Sequence, residues 1–359
     1  MRIAFIARST LYKVPGGDTV QVVQLAKHLN KNGAVVDIFL TNQRIDYSRY
    51  DLFYFTNITR PSDILYHIPK IKKPFIVSPI LIDYSEFDRQ YRKGVSGLIL
   101  RLFKRNTNEY IKTISRWVKG NDNLQSKKYI WYGQNKSIRE ILIKASAILP
   151  ASETEYKRLL QLFGVEKNYT IVPNGIDTAL FHSDEKAVKD NQLVICAARI
   201  EGLKNQLNLI KALNNTRYTL LLIGSAAPNQ TAYYNECRKT AAKNILFYNH
   251  VPQEILAGYY KEAKVHALPS WFETCGLSSL EAAAMGCNII VTDKGYARDY
   301  FGNDAFYCDP CCPESIFNAI DKAAKSYSST QLQEKVIANY TWQKAARITL
   351  ETCKNIISG

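Results

Sequence analysis

The chain has 359 residues, 46% of them hydrophobic and 22% charged, with a formal net charge of +15. That length outgrows a single hydrophobic core, so two domains are expected, and the composition excludes a disordered or fibrous chain. No apolar run approaches the roughly 18 residues of a spanning helix, and the opening MRIAFIARST lacks the apolar core of a secretory signal, so a cytosolic protein without membrane spans is expected.

From the amino terminus, short apolar segments alternate with helical patterns. RIAFIA, AVVDIFL, DLFYFT, FIVSP, KYIW, ASAILP and YTIVP read as strands of the buried, parallel type. NGIDTALFHSDEKAVKDNQ is polar and turn-rich, and reads as a linker near positions 175 to 191. The alternation then restarts with LVICAA, YTLLLIG, ILFYN, KVHALP, NIIVTD and AFYCDP. The chain closes on YTWQKAARITLETCKNIISG, an amphipathic helix with Trp342 near its start. The expected class is α/β, with two doubly wound, Rossmann-like domains facing each other across a cleft. They are expected at 1–175 and 176–340, with a helix at 341–359 returning to the first.

The positive charge is unevenly placed. Residues 1–176 hold 28 Lys and Arg against 14 Asp and Glu, whereas residues 177–359 hold 19 against 18. Positions 89–128 alone contain eleven basic residues and two acidic ones. Taken as a helix, VSGLILRLFKRN sets Val95, Leu98, Ile99, Leu102 and Phe103 against Arg101, Lys104 and Arg105. YIKTISRWVKG repeats the device, with Tyr110, Ile111, Ile114, Trp117 and Val118 against Lys112, Arg116 and Lys119. Basic amphipathic helices with an aromatic anchor suit an anionic membrane surface, where each nearby cation adds about 1 kcal/mol. Segment 91–120 is therefore expected to hold the protein peripherally on the inner face of a membrane. The plainer alternative stays open, in which the apolar arcs pack on the first domain and the charges face water. No nucleic-acid module accompanies the charge, so no nucleic-acid partner is expected.

Eight cysteines are scattered except in CDPCC, which holds Cys308, Cys311 and Cys312. Without a second pair or nearby histidines this is a poor zinc site, and reduced thiols with no metal are expected. After the first strand, RSTLYKVPGGDTVQ carries a Gly-Gly pair but not the G-x-G-x-x-G spacing, and no P-loop lysine motif occurs. The usual dinucleotide and nucleoside-triphosphate signatures are thus missing.

The most informative stretch is PSWFETCGLSSLEAAAMG, at 269–286. It follows a strand end, where open α/β sheets bind ligands, and a helix begins near Leu277. Gly276 permits a tight turn, and the amides at the helix start favour an anion such as a diphosphate. Glu273 precedes the turn and Glu281 is placed on the first helical turn, so both can face one pocket. A carboxylate has two oxygens to match two neighbouring hydroxyls, and diols on either side of a diphosphate describe a nucleotide sugar. AARIEGLKNQ adds Arg199 after a strand and Lys204 at the start of the next helix, two cations suited to a diphosphate.

GGDTVQVVQLAKHLNKNG, VPNGID, AARIEGLKNQ, PSWFETCGLSSLEAAAMGCNIIVTD and YTWQKAA together resemble the retaining glycosyltransferases of family four, with the GT-B fold. The resemblance covers nearly the whole chain. It implies that Arg199 and Lys204 bind the donor diphosphate and stabilise charge as the anomeric bond breaks. Glu273 would face the donor sugar and Glu281 the nucleotide ribose. The amides of Gly276, Leu277 and Ser278 would contact sugar and phosphate, and Gly16 and Gly17 form the glycine loop that lets donor and acceptor approach. Asn174 and Gly175 match the family's hinge.

One departure stands out. Many relatives carry a histidine at the end of the strand that here reads FIVSPILIDYSE, and none is present. His67 and His28 are assigned to helices in surface or packing roles, and Ser78 or Asp83 could take the equivalent space. No D-x-D occurs, so a metal-independent transfer is expected, with Arg199 and Lys204 in place of a metal ion. The acceptor is expected to be a growing, lipid-linked glycan of surface polysaccharide assembly, such as capsule or O-antigen. A soluble sugar acceptor and an inactive, glycosyltransferase-like binding protein are the alternatives.

Overall fold

The computed structural model describes residues 1–90, 105–118, 120, 123–182 and 188–358. They form two compact units: Met1–Asn174 together with the closing helix, and Gly175–Thr341.

The first unit is built on a parallel sheet of β1 (Arg2–Ala7), β2 (Val35–Leu40), β3 (Leu52–Thr56), β4 (Phe75–Ser78) and β5 (Ala147–Ile148), in the order β2-β1-β3-β4-β5. All five residues of β3 are buried. An unbroken apolar strand of this kind needs cover on both faces, and parallel crossovers supply it. The connecting helices are α1 (Gly17–Lys31), α2 (Pro61–His67), α3 (Ser85–Gln90), α4 (Arg105–Val118), α5 (Lys128–Lys144) and α6 (Glu153–Phe163). Phe53, Phe55, Ile138, Ile141, Ile148, Leu159 and Phe163 belong to one buried cluster, so β3, β5, α5 and α6 share a core. Burying each such side chain contributes about 1.5–3 kcal/mol. The Ser152 hydroxyl caps α6 by accepting from the Glu155 amide at 3.2 Å, a contact worth about 1 kcal/mol.

The second unit has a six-stranded parallel sheet of β6 (Asp190–Ala197), β7 (Thr219–Ile223), β8 (Ile245–Tyr248), β9 (Ala263–Leu268), β10 (Asn288–Thr292) and β11 (Phe306–Cys308). Its order is β11-β10-β9-β6-β7-β8. Around it lie α7 (Gln206–Leu213), α8 (Thr231–Thr240), α9 (Gln253–Glu262), α10 (Leu277–Ala284), α11 (Ala297–Phe301), α12 (Pro313–Lys325) and α13 (Thr330–Asn339). The closing helix α14 (Trp342–Ser358) belongs to the first unit and packs on α1, with Trp342, Ala345, Ala346, Thr349 and Cys353 buried.

Several segments differ from the sequence reading. KYIW is not a strand but the first turn of α5, and after a kink at Gly133 (φ 62°, ψ −173°) the buried Gln134, Ser137, Ile138, Ile141 and Leu142 follow helical spacing. Four apolar residues are too few to separate the two periods. YTIVP makes only an isolated bridge, Tyr169 to Ile148, beside the two-residue β5. Of the linker stretch, 183–187 lie outside the described residues, and its beginning is anchored. Ile176 bridges Thr341, and Ile176 and Phe181 are each 1% exposed within the core of the second unit. Of the basic segment, 91–104 and Lys119 lie outside the described residues, while α4 is formed.

Within α4 the faces are not those expected. Lys112 does not point to water: its ammonium meets Asp88 at 2.5 Å and Glu109 at 2.8 Å, tying α4 to α3. The Tyr110 hydroxyl donates to the Ile130 carbonyl at 3.0 Å. Arg116 is exposed, and so are Trp117 (43%) and Val118 (73%), which end the apolar arc in solvent. No described helix is long and apolar enough to cross a membrane.

Candidate functional site

In the second unit the chain leaves β6 toward β7 on one side, and β9 lies on the other. The strand order reverses there, the place where open α/β sheets bind ligands, and the loops after β6 and β9 meet at the carboxyl ends of the strands, the Trp271 amide donating to the Leu203 carbonyl at 2.9 Å. Arg199 and Lys204 follow β6, and Glu273 follows β9.

The loop after β6 is held through its backbone. Ala198 donates to the Ile223 carbonyl at 3.1 Å, Ile200 to Ser225 at 2.9 Å, and the Gln206 amide to the Arg199 carbonyl at 2.9 Å. A 3-10 turn over Gly202–Lys204 follows, closed by Asn205 at φ 60°. The Asn205 amide donates to the Pro269 carbonyl at 3.0 Å and to the Pro310 carbonyl at 2.8 Å, fastening this turn to the segment that carries Glu273.

Lys204 and Glu273, 69 positions apart, meet at 2.5 Å with side chains 20% and 8% exposed. Ser270 donates its hydroxyl to the same carboxylate oxygen at 2.7 Å, and Thr292 at the end of β10 donates to the Ser270 carbonyl at 2.7 Å. Burial alone would depress the Lys204 ammonium. Glu273 and then Glu201 outweigh it and hold the group above the usual lysine range. The Glu273 backbone is clamped as well: its amide donates to Lys294 at 3.2 Å and its carbonyl accepts from Tyr296 at 2.8 Å. Gly295 lies between those two partners at φ 92°, and a Cβ there would stand 2.0 Å from the Glu273 carbonyl oxygen. Only glycine allows so close an approach.

Gly276, at φ 71°, turns the chain into α10. Leu277 and Ser278 are half-buried at the helix start, where the first amides have no intrahelical acceptor. Glu281 is the fifth helical residue, at the beginning of the second turn rather than on the first as expected from the sequence. It shares the half-buried face with Leu277 and Ser278, while Ser279, Leu280 and Ala282–Ala284 are buried. Burial pushes its carboxyl up to about 8. The nearby Tyr260 hydroxyl is pushed up by its own burial and then by Glu281. Arg199 pairs with Glu201 at 3.3 Å. The structure therefore joins Lys204 to Glu273 directly and sets Arg199 beside Glu201, while Glu281 forms no ion pair with either cation.

The first unit holds the remaining candidates. Gly16 caps α1 at φ −154°, ψ −168°, an extended conformation open to any residue, and Gly17 is the first residue of the helix. Arg8, at the end of β1, organises this loop. Its guanidinium binds Asp18 at 2.6 and 3.1 Å, the Thr10 carbonyl at 2.9 Å and the Val14 carbonyl at 2.7 Å. Sequence reasoning missed Arg8, Glu201, Ser270 and Gly295. The one available signal was an Arg at a strand end with an Asp just inside the next helix. Ser78, at the end of β4, is buried and accepts from the Gln21 amide at 3.2 Å, whereas Asp83 is bound by Arg158. His67 is fully buried between Thr41 at 3.0 Å and Tyr47 at 2.8 Å, and burial lowers its imidazole to about 4. That is a packing role.

Two parallel-sheet α/β units, the second with paired cations and acids at its switch point, define the GT-B class of fold. The whole chain superposes on sucrose-phosphate synthase from Thermosynechococcus elongatus with TM-score 0.76 and 16% identity, covering 100% of this chain and 99% of that one. It also superposes on Anabaena HepE in complex with UDP, with TM-score 0.73, 15% identity and coverage of 99% and 100%. Residues 177–341 match the family model of glycosyl transferases group 1. A D-inositol 3-phosphate glycosyltransferase of Acidothermus cellulolyticus is 23% identical over 179 residues, which are 44% of this chain and 40% of the relative. The chain thus matches less than half the length of that relative.

Proposed function

We propose that the protein transfers a sugar from a nucleoside-diphosphate donor to a glycan acceptor, with retention of anomeric configuration and without a metal. The observation that carries this reading is the contact of Lys204 with Glu273 across the β6–β9 switch point. Arg199 and Lys204 hold the donor diphosphate and stabilise the charge that grows on it as the anomeric bond breaks. Glu273 accepts from hydroxyls of the donor sugar, and Ser270 holds the carboxylate by donating to the oxygen that Lys204 also binds. Glu281 accepts from the ribose diol, and the amides of Gly276, Leu277 and Ser278 face sugar and phosphate. The acceptor hydroxyl attacks from the side the leaving phosphate vacates, and that phosphate helps take the proton, so positioning supplies much of the rate.

A lipid-linked acceptor in surface polysaccharide assembly is the preferred setting. Arg116, Trp117 and Val118, exposed at the end of α4, suit an anionic membrane surface on the cytoplasmic side. A soluble sugar acceptor is the second reading, favoured by the activity that names the inositol 3-phosphate relative. The experiment is transfer from UDP- and GDP-hexoses, in EDTA, to isoprenoid-linked glycans in anionic vesicles and to soluble sugar phosphates. Product of retained configuration on the vesicle acceptor is the expected outcome. Inverted product, a metal requirement, or turnover with soluble acceptors alone overturns the corresponding part. No turnover of any donor leaves only a binding protein.

A further inference from the structure

Arg199 and Glu201 flank Ile200, which is 1% exposed. In extended backbone, alternate side chains share a side, so burying Ile200 turns Arg199 and Glu201 outward together. The loop cannot relax this arrangement. The Ile200 amide and carbonyl bond to Ser225 and Ala227, the Glu201 amide takes the Gln206 side chain, and the Glu201 carbonyl accepts from Lys204 at 2.9 Å. The Glu201 carboxylate therefore stands 3.3 Å from Arg199, with its side chain 16% exposed, and its field also reaches Lys204. Glu201 and Glu273 thus set one carboxylate against each of the cations Arg199 and Lys204.

We propose that Glu201 is a positioning residue that holds Arg199 as a counter-ion and disfavours the product nucleoside diphosphate relative to the donor. This rests on the donor reading above. When the anomeric carbon leaves the β-phosphate oxygen, the electron pair stays on that oxygen while the acceptor oxygen bonds to the carbon and releases its proton. The product thus carries one more ionisable phosphate oxygen than the donor. A fixed carboxylate repels that added charge, whereas the donor masks it with its sugar. Arg199 exchanges Glu201 for the donor diphosphate and returns to Glu201 as the product leaves.

The test is calorimetric binding of UDP against UDP-glucose and of GDP against GDP-mannose, to the wild-type chain, Glu201→Gln and Glu201→Asp. Glu201→Gln is expected to tighten the nucleoside diphosphate about tenfold more than its hexose conjugate, and Glu201→Asp to keep the wild-type ratio. A merely structural role would weaken both ligands alike and leave the ratio unmoved. An unmoved ratio in folded Glu201→Gln, or in Glu201→Ser if the first variant folds poorly, overturns the inference while the donor reading stands. Failure of the wild-type chain to bind any of the four ligands overturns both.

Discussion

Each unit contains a lysine that meets a buried carboxylate at 2.5 Å: Lys112 with Asp88 in the first, Lys204 with Glu273 in the second. By distance and burial the pairs are alike. Their surroundings separate them. Lys112 also binds Glu109 on its own helix and lies over the Tyr84 ring, so the pair fastens α4 to α3. Lys204 projects from a turn at the reversal of strand order, has a second carboxylate and a guanidinium within its field, and its partner is oriented by Ser270 and clamped by Gly295. An ion pair says little about role until the elements behind it are known.

Breaking each pair separates the two roles. Lys204→Met is expected to lower donor turnover about 10²–10³-fold. Lys112→Met leaves Asp88 buried without this cation, and is expected to cost about 3–5 kcal/mol of stability with the donor KM unchanged. Parallel denaturant melts and donor-turnover assays check both, and equal effects on turnover would erase the distinction.

Gly295→Ala is the next largest. Its Cβ collides with the Glu273 carbonyl, and its positive φ adds about 1–2 kcal/mol of strain, so donor affinity and stability fall together. A variant with wild-type donor affinity would show that the clamp on Glu273 does not matter.

A further effect is a pH dependence. With its carboxyl raised to about 8, Glu281 keeps its proton in the folded chain and loses it near 4.5 when unfolded. Its contribution to stability is complete below the unfolded value and is lost as pH rises through about 8. The melting temperature of the ligand-free chain should therefore fall from pH 5 to 8 more steeply than that of Glu281→Gln. Donor binding requires the carboxylate, so donor-induced stabilisation should grow over the same window. Parallel slopes for the two ligand-free chains would show that Glu281 is already ionised in the fold, and donor-induced stabilisation that does not grow with pH would remove it from the ligand-binding account.

The second unit was more legible than the first. Its strands, the Gly276 turn and the four charged residues sit in compact motifs whose local chemistry points one way. What the motifs hid was compensation. Glu201 lay inside AARIEGLKNQ, yet that Ile200 is buried and turns Glu201 onto Arg199 depends on packing against Ser225 and Ala227. Gly295 was not legible because its contact with Glu273 is made across two loops. In the first unit KYIW was too short to show its helical period, and Lys112 read as solvent-facing because its partner Asp88 is 24 positions away, on another helix.

The most direct measurement is a thermal-shift titration of the wild-type chain, Arg199→Ala and Glu281→Ala with UDP- and GDP-hexoses. A ligand at about a hundred times its Kd stabilises the folded state by about 2.7 kcal/mol, so one donor should raise the wild-type melting temperature by several degrees. That rise should vanish in both variants. A shift that survives intact in both would place the donor elsewhere and contradict the assignment of the β6–β9 switch point.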